Sequence, residues 1–302
     1  MATTNGTASG AAELWDILLA FVGDNGWDTL DQGQTSTASS AVKAIQLRGT
    51  DVSGQGNIYV HMMYMENTLQ DLYSFGLEGS AGWLPDSDVM SYGRNPMSVS
   101  SIYVPLHRNP IEYWLTASPR RFMGAFRHND RWGSMYCGFI LPYGMPGQWA
   151  YPLWIAGNNL TTQDYKVNTG GCPWGASSVP SGWLYCPSGR WQATPTASGP
   201  SGGRGYGIQI WPYSMYPTSD YPLWYKPLKD RTGVERYPIT NMIFYCLNGN
   251  ESGTFGEPDG LCHVTSWGAS GGDILTYGGR EYLLIQRELS TANNTSAAML
   301  LE

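Results

Sequence analysis

An internal repeat is the feature of this sequence that most restricts its fold. Residues 136–154 align without gaps on residues 206–224, and nine of the nineteen aligned positions are identical. Each copy begins as a strand of alternating character and ends in an extended Tyr-Pro-Leu-Trp, and its prolines disfavour helix. The repeat predicts a duplicated β unit that packs pseudo-symmetrically, because a solenoid would need more and shorter repeats. The alternative explanation of the repeat is that two similar turns were selected separately for packing.

The composition also favours strands. The chain contains 13 Trp, 20 Tyr and 7 Phe residues among 302, and flat rings pack well on pleated sheets. Charged residues make up 14% of the chain, compared with about 25% of an average soluble domain. The aromatic residues belong either to a ring-rich core or to protein interfaces, where Tyr and Trp bury an apolar body beside a polar edge. We predict a mainly β fold of antiparallel, sandwich-like architecture with long loops.

One helix is predicted, over residues 11–22. Its apolar residues recur at steps of three and four and form a single face: Leu14, Ile17, Leu18 and Phe21. The Gly-Asp-Asn-Gly sequence of residues 23–26 ends it. We therefore divide the chain into an N-terminal arm and helix, residues 1–34, and a β-rich region, residues 35–302, which is one domain or two fused β units.

Three segments are predicted to lie outside the packed structure. Residues 2–10 read as an arm, and the Ser/Thr-rich residues 31–40 read as a loop or an extended arm. Residues 170–205 are crowded with Gly, Pro and Ser and read as a large loop or several. Loops of that length are usually functional, disordered or ordered by a neighbouring subunit. We expect residues 2–10 and 170–205 to become ordered only against a neighbour.

Two hairpins are predicted from their turns. Residues 120–141 contain two strand-like runs around the polar turn His128-Asn129-Asp130, and residues 273–288 contain two around Gly278-Gly279. The second signal is the clearer one, because glycine accepts the positive φ angles of a type I′ turn. Short strands are also expected at residues 57–64, 100–106 and 112–116, with Pro105 and Pro110 confining pairing to edges or bends.

The charge balance argues against a polyanionic partner. There are 17 basic and 24 acidic residues, for a formal net charge of −7, so nucleic acid is not expected as the main partner. No apolar run approaches the roughly 18 residues of a membrane span, and residues 1–10 lack the basic and apolar regions of a secretory signal. We expect a soluble product made in the cytoplasm, with no membrane span.

No metal or cofactor site is predicted. Five cysteines are scattered without the spacing of a disulfide scaffold or a zinc site: Cys137, Cys172, Cys186, Cys246 and Cys262. Four histidines lie far apart in the sequence and are expected to be surface or satisfied core residues: His61, His107, His128 and His263. No nucleotide-binding glycine pattern runs from a strand into a helix, so no cofactor is assigned.

Catalysis has few candidate residues. The nucleophile pattern Gly-x-Ser-x-Gly occurs at residues 199–203 and 268–272, but neither copy opens a helix, and we attribute both to the 38 glycines. Two carboxylate pairs allow for glycan cleavage: Asp86 and Asp88 near Trp83, and Glu257 and Asp259. Their neighbouring prolines and glycines favour turns instead. We assign no catalytic residue, and we keep glycan cleavage and non-catalytic glycan binding as alternatives.

A basic patch with interleaved rings lies in the first predicted hairpin: Arg120, Arg121, Arg127, His128 and Arg131, with Phe122, Phe126 and Trp132. Such a pattern can bind nucleic acid through phosphate contacts and stacking. The acidic net charge of the chain opposes that interpretation. We prefer a solvated or subunit-facing side of the hairpin, whose arginines pair with acidic residues of a neighbour.

A recurrent pattern closes the sequence. It comprises residues 256–268, which begin Gly-Glu-Pro-Asp-Gly, then Gly278-Gly279, residues 282–286 and the ending Met-Leu-Leu-Glu at 299–302. This pattern resembles the ending of virion structural proteins of tailed bacteriophages. Residues 138–153 and the helix leading into Gly26-Trp27 are similar to the same group, whereas three residues depart from its pattern: Pro258, His263 and Trp267. The resemblance implies a particle component without giving its position.

The resemblance and the composition together predict an assembly role. We expect a structural subunit of a tailed bacteriophage virion, assembled in the host cytoplasm as a symmetric homo-oligomer, because virion parts repeat one interface around an axis. Tail or baseplate is the first expected position, and collar fibre or capsid decoration the second. The expected partners are further copies of the chain and other virion proteins. Binding or degradation of a host-surface glycan is the alternative.

Overall fold

The structure is a computed structural model of the 302-residue chain. It describes residues 1–31, 41–50, 56–80, 102–144, 148–149, 151–158, 172–174, 181–194, 208–212, 228–229, 235–236, 239–246, 252–264, 269–286 and 296–301. These residues form a mainly β fold with one α-helix, as the composition predicts.

In chain order, the described residues begin with eleven strands and one helix. They are β1 (Ala2–Ala8), α1 (Ala11–Asp24), β2 (Asp28–Asp31), β3 (Ala41–Thr50), β4 (Asn57–Asn67), β5 (Leu72–Ser80), β6 (Ile102–Leu106), β7 (Ile111–Ser118), β8 (Arg121–His128), β9 (Arg131–Phe139), β10 (Leu141–Pro142) and β11 (Leu153–Ala156). The remaining strands are β12 (Gly182–Tyr185), β13 (Trp191–Thr194), β14 (Gln209–Trp211), β15 (Leu228–Lys229), β16 (Glu235–Arg236), β17 (Ile239–Asn241), β18 (Ile243–Cys246), β19 (Gly253–Glu257), β20 (Leu261–Val264), β21 (Ile274–Tyr277), β22 (Arg280–Ile285) and β23 (Ser296–Leu300).

The strands assemble into four sheets and a short ribbon of β15 and β16. The central sheet has the order β1-β7-β8-β9-β11-β12-β13, and the outer sheet has the order β2-β3-β4-β5-β6. A four-stranded sheet has the order β10-β19-β18-β14, and the C-terminal sheet has the order β17-β20-β23-β22-β21. All the described strand pairs are antiparallel, as predicted.

The central sheet is buried on both faces, so the predicted sandwich has three layers. In β8 the side chains alternate: Phe122 and Phe126 enter a first core shared with the outer sheet and α1, whereas Met123 and Ala125 enter a second core. The second core is shared with the four-stranded and C-terminal sheets. A strand that is covered on both faces is apolar along most of its length. In β9, eight of the nine residues are buried, as expected for a strand that is covered on both faces.

Helix α1 confirms the predicted amphipathic helix and extends it by two residues. Its buried side chains face the first core: Ala11, Leu14, Trp15, Leu18 and Val22. The helix begins where the Ala11 N–H donates to the His107 carbonyl at 3.0 Å. A Cβ on Gly10 would lie 2.4 Å from the Arg108 carbonyl oxygen, so glycine permits this close approach. The Asn25 side chain ends the helix by donating to the Phe21 carbonyl at 2.8 Å.

Both predicted hairpins are confirmed. β8 and β9 pair around a turn at residues 129–130, where Asn129 has a φ of 55°. β21 and β22 pair around Gly278-Gly279, whose φ angles of 59° and 79° are those of a type I′ turn. Pro105 lies in β6, which is an edge strand of the outer sheet, as expected for a residue that cannot donate to the ladder.

The described parts of the two repeat copies contribute strands to the same sheet. β10 belongs to the first copy and β14 to the second, and the two strands are the opposite edges of the four-stranded sheet. Three successive antiparallel pairings separate β10 from β14, so the two strands run in opposite directions. The equivalent residues Ile140 and Ile210 are both fully buried in the second core. Residues 213–224 of the second copy lie outside the described residues.

The prediction that residues 2–10 form an unpaired arm is wrong. β1 pairs with β7 along its whole length, from Ala2 opposite Ala117 to Ala8 opposite Ile111. The Thr3 hydroxyl also donates to the Leu301 carbonyl beyond β23. Strand β1 is an edge strand of small and polar residues, so its hydrogen-bond ladder holds it in place rather than a hydrophobic pattern.

The prediction that residues 170–205 are a large loop or several is wrong for residues 181–194. β12 and β13 form a hairpin there and continue the central sheet. Trp183, Leu184 and Trp191 are buried, which gives this Gly-rich and Pro-rich stretch a packed centre. Residues 32–40, the proposed boundary at residue 34 and residues 195–205 lie outside the described residues.

Candidate functional site

A buried arginine at the start of β8 lies where the central sheet meets the C-terminal part of the chain. The Arg121 side chain is 1% exposed, and its Nη1 donates to the Thr116 hydroxyl on β7 at 2.7 Å. Its Nη2 contacts the Met1 sulfur. Burial lowers the pKa of Arg121, although an arginine stays protonated in a protein. A full positive charge is therefore enclosed in the interior.

Asp259 supplies the opposite charge. It lies in the turn between β19 and β20, and its Oδ2 is 3.6 Å from Arg121 Nε and 3.7 Å from Arg120 Nε. Its backbone N–H donates to the Tyr136 hydroxyl at 3.1 Å, and that hydroxyl donates to the Phe139 carbonyl at 2.6 Å. We call Arg120, Arg121, Tyr136 and Asp259 the arginine clasp, because they join β8 and β9 to the turn that connects the four-stranded and C-terminal sheets.

Two glycines make room for the arginine clasp. Gly138 has a φ of 144°, and a Cβ there would lie 2.4 Å from Arg121 Cα. Gly260 has a φ of 76°, and a Cβ there would lie 2.4 Å from Arg121 Nη2. Any other residue at either position would displace the buried guanidinium or strain the backbone.

A second cluster joins the same two layers at the other end of β8. Arg127 Nε donates to Glu112 Oε2 at 2.7 Å, and its Nη1 donates to the Gly271 carbonyl at 3.3 Å. The guanidinium carbon lies 5.5 Å and 5.4 Å from the ring centroids of Trp114 and Trp132. These two rings are stacked with their centroids 5.5 Å apart. We call this cluster the tryptophan clasp, and it combines an ion pair with cation–π contacts.

The interpretation of the basic patch as a subunit-facing surface needs correction. The acidic partners of three of its arginines belong to the same chain: Asp259 pairs with Arg120 and Arg121, and Glu112 pairs with Arg127. The rings are divided by the two-residue period of the strand, since Phe122 and Phe126 enter the first core. The patch is therefore not one surface, and three of its arginines pair with carboxylates of the same chain.

The second predicted carboxylate pair also has partners within the fold. Glu257 Oε2 accepts hydrogen bonds from Asn241 Nδ2 at 2.6 Å and from the Tyr143 hydroxyl at 2.9 Å. Partial burial, together with the Glu257 hydrogen bond, raises the pKa of Tyr143 to about 12. Asp259 belongs to the arginine clasp, in agreement with the turn interpretation. The other candidates, Asp86 and Asp88 near Trp83, lie outside the described residues.

Two of the cysteine thiols are protonated at neutral pH. Burial raises the pKa of Cys262 to about 11 and raises that of Cys137 well above its usual range, whereas a nucleophilic cysteine needs its thiolate. All five cysteines are free of disulfides. Within the described ranges, no three His, Cys, Asp or Glu residues are placed to hold a metal ion, and no helix there could cross a bilayer.

The histidines fall into different surroundings. His107 and His128 are far apart in sequence, but their rings stack at 3.9 Å with an angle of 8° between the planes. His128 Nδ1 lies 2.9 Å from the Pro110 carbonyl, so this nitrogen is the protonated one. His263 lies in β20 and is 4% exposed. It is a core residue, which is one of the two positions that the sequence predicts for a lone histidine.

His263 is expected to make the fold sensitive to acid. Burial lowers the pKa of His263 to about 4, whereas the pKa of an unfolded histidine is about 6.5. Between these values the unfolded chain binds a proton that the folded chain does not bind, so the free energy of unfolding falls as the pH falls, by up to about 3 kcal/mol. Urea unfolding at pH 7 and at pH values near 4 measures this loss. The loss should be smaller in His263→Gln, and equal losses in both proteins would contradict the assignment.

Comparison with known proteins does not place the chain in a family. No protein-family model matches it, and no curated protein matches it. Function is therefore inferred from the contacts described above.

Proposed function

We propose that this chain is a structural subunit of a tailed bacteriophage virion, in the tail or baseplate, that assembles as a symmetric oligomer with further copies of itself and other virion proteins. One observation carries the proposal: the described residues of the C-terminal pattern, which is one of the three regions of the resemblance, lie next to one another in the fold. Residues 256–260 bear the aspartate of the arginine clasp, and β20, β22 and β23 are adjacent strands of the C-terminal sheet. The C-terminal part of the resemblance thus falls largely within one sheet.

The positions of the charged residues in the fold support an assembly role rather than turnover of a substrate. The arginine clasp and the tryptophan clasp place charged residues between layers, where they hold sheets in register. Glu257 and Asp259, the described carboxylates that a glycan hydrolase could have used, are both bonded to neighbours in the fold. Such a rigid layered body suits a part that must keep its shape while it is repeated around an axis.

Two measurements on the purified protein and on phage particles test this proposal. We expect the molar mass from light scattering to be that of an oligomer. We also expect mass spectrometry to detect peptides of this chain in purified particles. A monomer that is absent from particles would contradict the proposal. Release of reducing ends from host polysaccharide would support glycan cleavage, provided that Glu257→Gln abolishes it and Glu281→Gln, a change at an exposed residue of β22, does not.

A further inference from the structure

The outer strand of the C-terminal sheet exposes apolar side chains on an open edge. β21 is the last strand of that sheet, and no strand of the described chain pairs with its outer side. Ile274 and Tyr277 are 48% and 51% exposed, and β21 itself contains no charged residue. A strand of this kind pairs readily with another strand, because its unpaired backbone groups and apolar side chains are both accessible.

Both edge strands of the outer sheet carry features that oppose such pairing. β6, at one edge of the outer sheet, contains Pro105, which has no N–H to donate. β2, at the other edge, begins with Asp28 and ends with Asp31, and charged residues discourage pairing between edges. β21 has neither feature. Of the edge strands β2, β6 and β21, it is therefore the one that is open to pairing.

The hydrogen-bonding phase of the β21–β22 hairpin determines which groups of β21 face outward. Tyr277 and Arg280 flank a two-residue loop, so they form a hydrogen-bonded pair. The same phase holds at the start of the hairpin, where the Leu284 N–H donates to the Asp273 carbonyl at 2.9 Å. Residues with odd numbers thus bond inward to β22. The N–H and C=O groups of Ile274 and Thr276 point outward.

We propose that β21 pairs antiparallel with β21 of a second copy of this chain, about a two-fold axis at Leu275. Ile274 then lies opposite Thr276 of the second copy, and all the outward donors and acceptors of both strands are paired. The two C-terminal sheets become one continuous sheet. This inference rests on the proposed assembly function, and it names the surface through which two copies meet.

The side chains along this pairing are complementary as well. Asp273 lies opposite Tyr277 of the second copy, and that tyrosine is paired with Arg280 on its other side, so opposite charges flank each tyrosine ring. Leu275 lies opposite Leu275 of the second copy, and in each copy Tyr282 of β22 is the neighbour of Leu275 on the other side. A contact between two four-residue strands is small beside the roughly 1,200–2,000 Å² of a standard interface. Other contacts between the copies are expected to strengthen it, and association is measured at concentrations high enough to populate the pair.

Cysteine cross-linking reports both the contact and its register. Leu275→Cys places two thiols in a non-hydrogen-bonded pair, whose Cα atoms are about 4.5 Å apart, within the range of about 4.4–6.8 Å for a disulfide. Ile274→Cys is the matched control, because its two copies lie diagonally about 7–8 Å apart. Under mild oxidation we expect a disulfide dimer of Leu275→Cys and none of Ile274→Cys or the unchanged protein. Equal cross-linking of both variants, or of neither, would overturn the proposal.

A proline substitution separates this inference from the proposed function. Thr276→Pro removes an outward N–H and no inward bond, whereas Thr276→Val keeps the N–H. In sedimentation we expect Thr276→Val to associate like the unchanged protein and Thr276→Pro to lose one step of association. If Thr276→Pro associates normally and enters particles, the pairing is wrong and the assembly function stands. If it associates normally but is excluded from particles, the edge binds another virion protein and the second copy is the wrong occupant.

Discussion

Replacing Asp259 by asparagine is expected to lower the free energy of unfolding by about 3–5 kcal/mol. The substitution keeps the size of the side chain and the backbone N–H that donates to Tyr136, so the loss of charge is the main change. Arg121 would then remain 1% exposed with its positive charge uncompensated. Burying an unpaired ion costs far more free energy than the ion pair contributes to stability, because the interior cannot solvate the ion.

Urea unfolding of Asp259→Asn and of a matched control measures this cost. The control is Asp28→Asn, which breaks an ion pair with Arg48 of 2.6 Å whose side chains are 59% and 39% exposed. Water and salt screen an exposed pair, so the control should lose at most about 1 kcal/mol. If the two substitutions cost the same, Arg121 is solvated in the folded protein and the arginine clasp does not hold the layers together.

The double variant Arg121→Met/Asp259→Asn distinguishes loss of the ion pair from damage to the turn. Methionine removes the buried charge and fills much of the space, so the double variant should be more stable than Asp259→Asn alone. A double variant that is less stable than the single one would mean that Asp259 acts mainly through the turn. The hydroxyl of Thr116 loses its partner in the double variant, and we therefore expect recovery to be partial.

Local periodicity was sufficient to predict the helix and the two hairpins. The spacing of Leu14, Leu18 and Phe21 defines one face of α1, and Gly278-Gly279 accepts the positive φ angles of a two-residue hairpin turn. The same two-residue period would have divided the basic patch correctly, because adjacent residues of a strand face opposite ways. Grouping Arg121 with Phe122 ignored this rule. The structure places them on opposite faces of the central sheet.

The arginine clasp could not be predicted, because its members are distant in the sequence. Arg121 and Asp259 meet only after the central and C-terminal sheets pack together. The local signals were an arginine at the start of an otherwise apolar strand and a Pro-Asp-Gly turn, and each has a common explanation on its own. β1 was missed for a different reason: its Thr, Asn and Gly residues carry no hydrophobic pattern, and its position is determined by the free edge of β7.

The second large effect is expected at Trp154, where Trp154→Ala should cost about 4–5 kcal/mol. This side chain is fully buried in the second core, with ring centroids of Tyr136 and Phe244 at 4.7 Å and 4.9 Å. Its Nε1 donates to the buried Thr194 hydroxyl at 2.8 Å. Alanine leaves a large cavity between the central and four-stranded sheets and removes the donor that the hydroxyl uses.

Two comparison variants separate the contributions of volume and hydrogen bonding at Trp154. Trp154→Phe keeps most of the apolar contact and loses the hydrogen bond, so it should cost about 1–3 kcal/mol. Tyr277→Ala removes a ring that is 51% exposed in β21 and should change the stability by about 0.5 kcal/mol or less. If Trp154→Ala were as mild as Tyr277→Ala, the four-stranded sheet would not be packed on the central sheet. Because β10 and β14 of the repeat are the edges of that sheet, the duplicated unit would then have to be stabilised by contacts elsewhere.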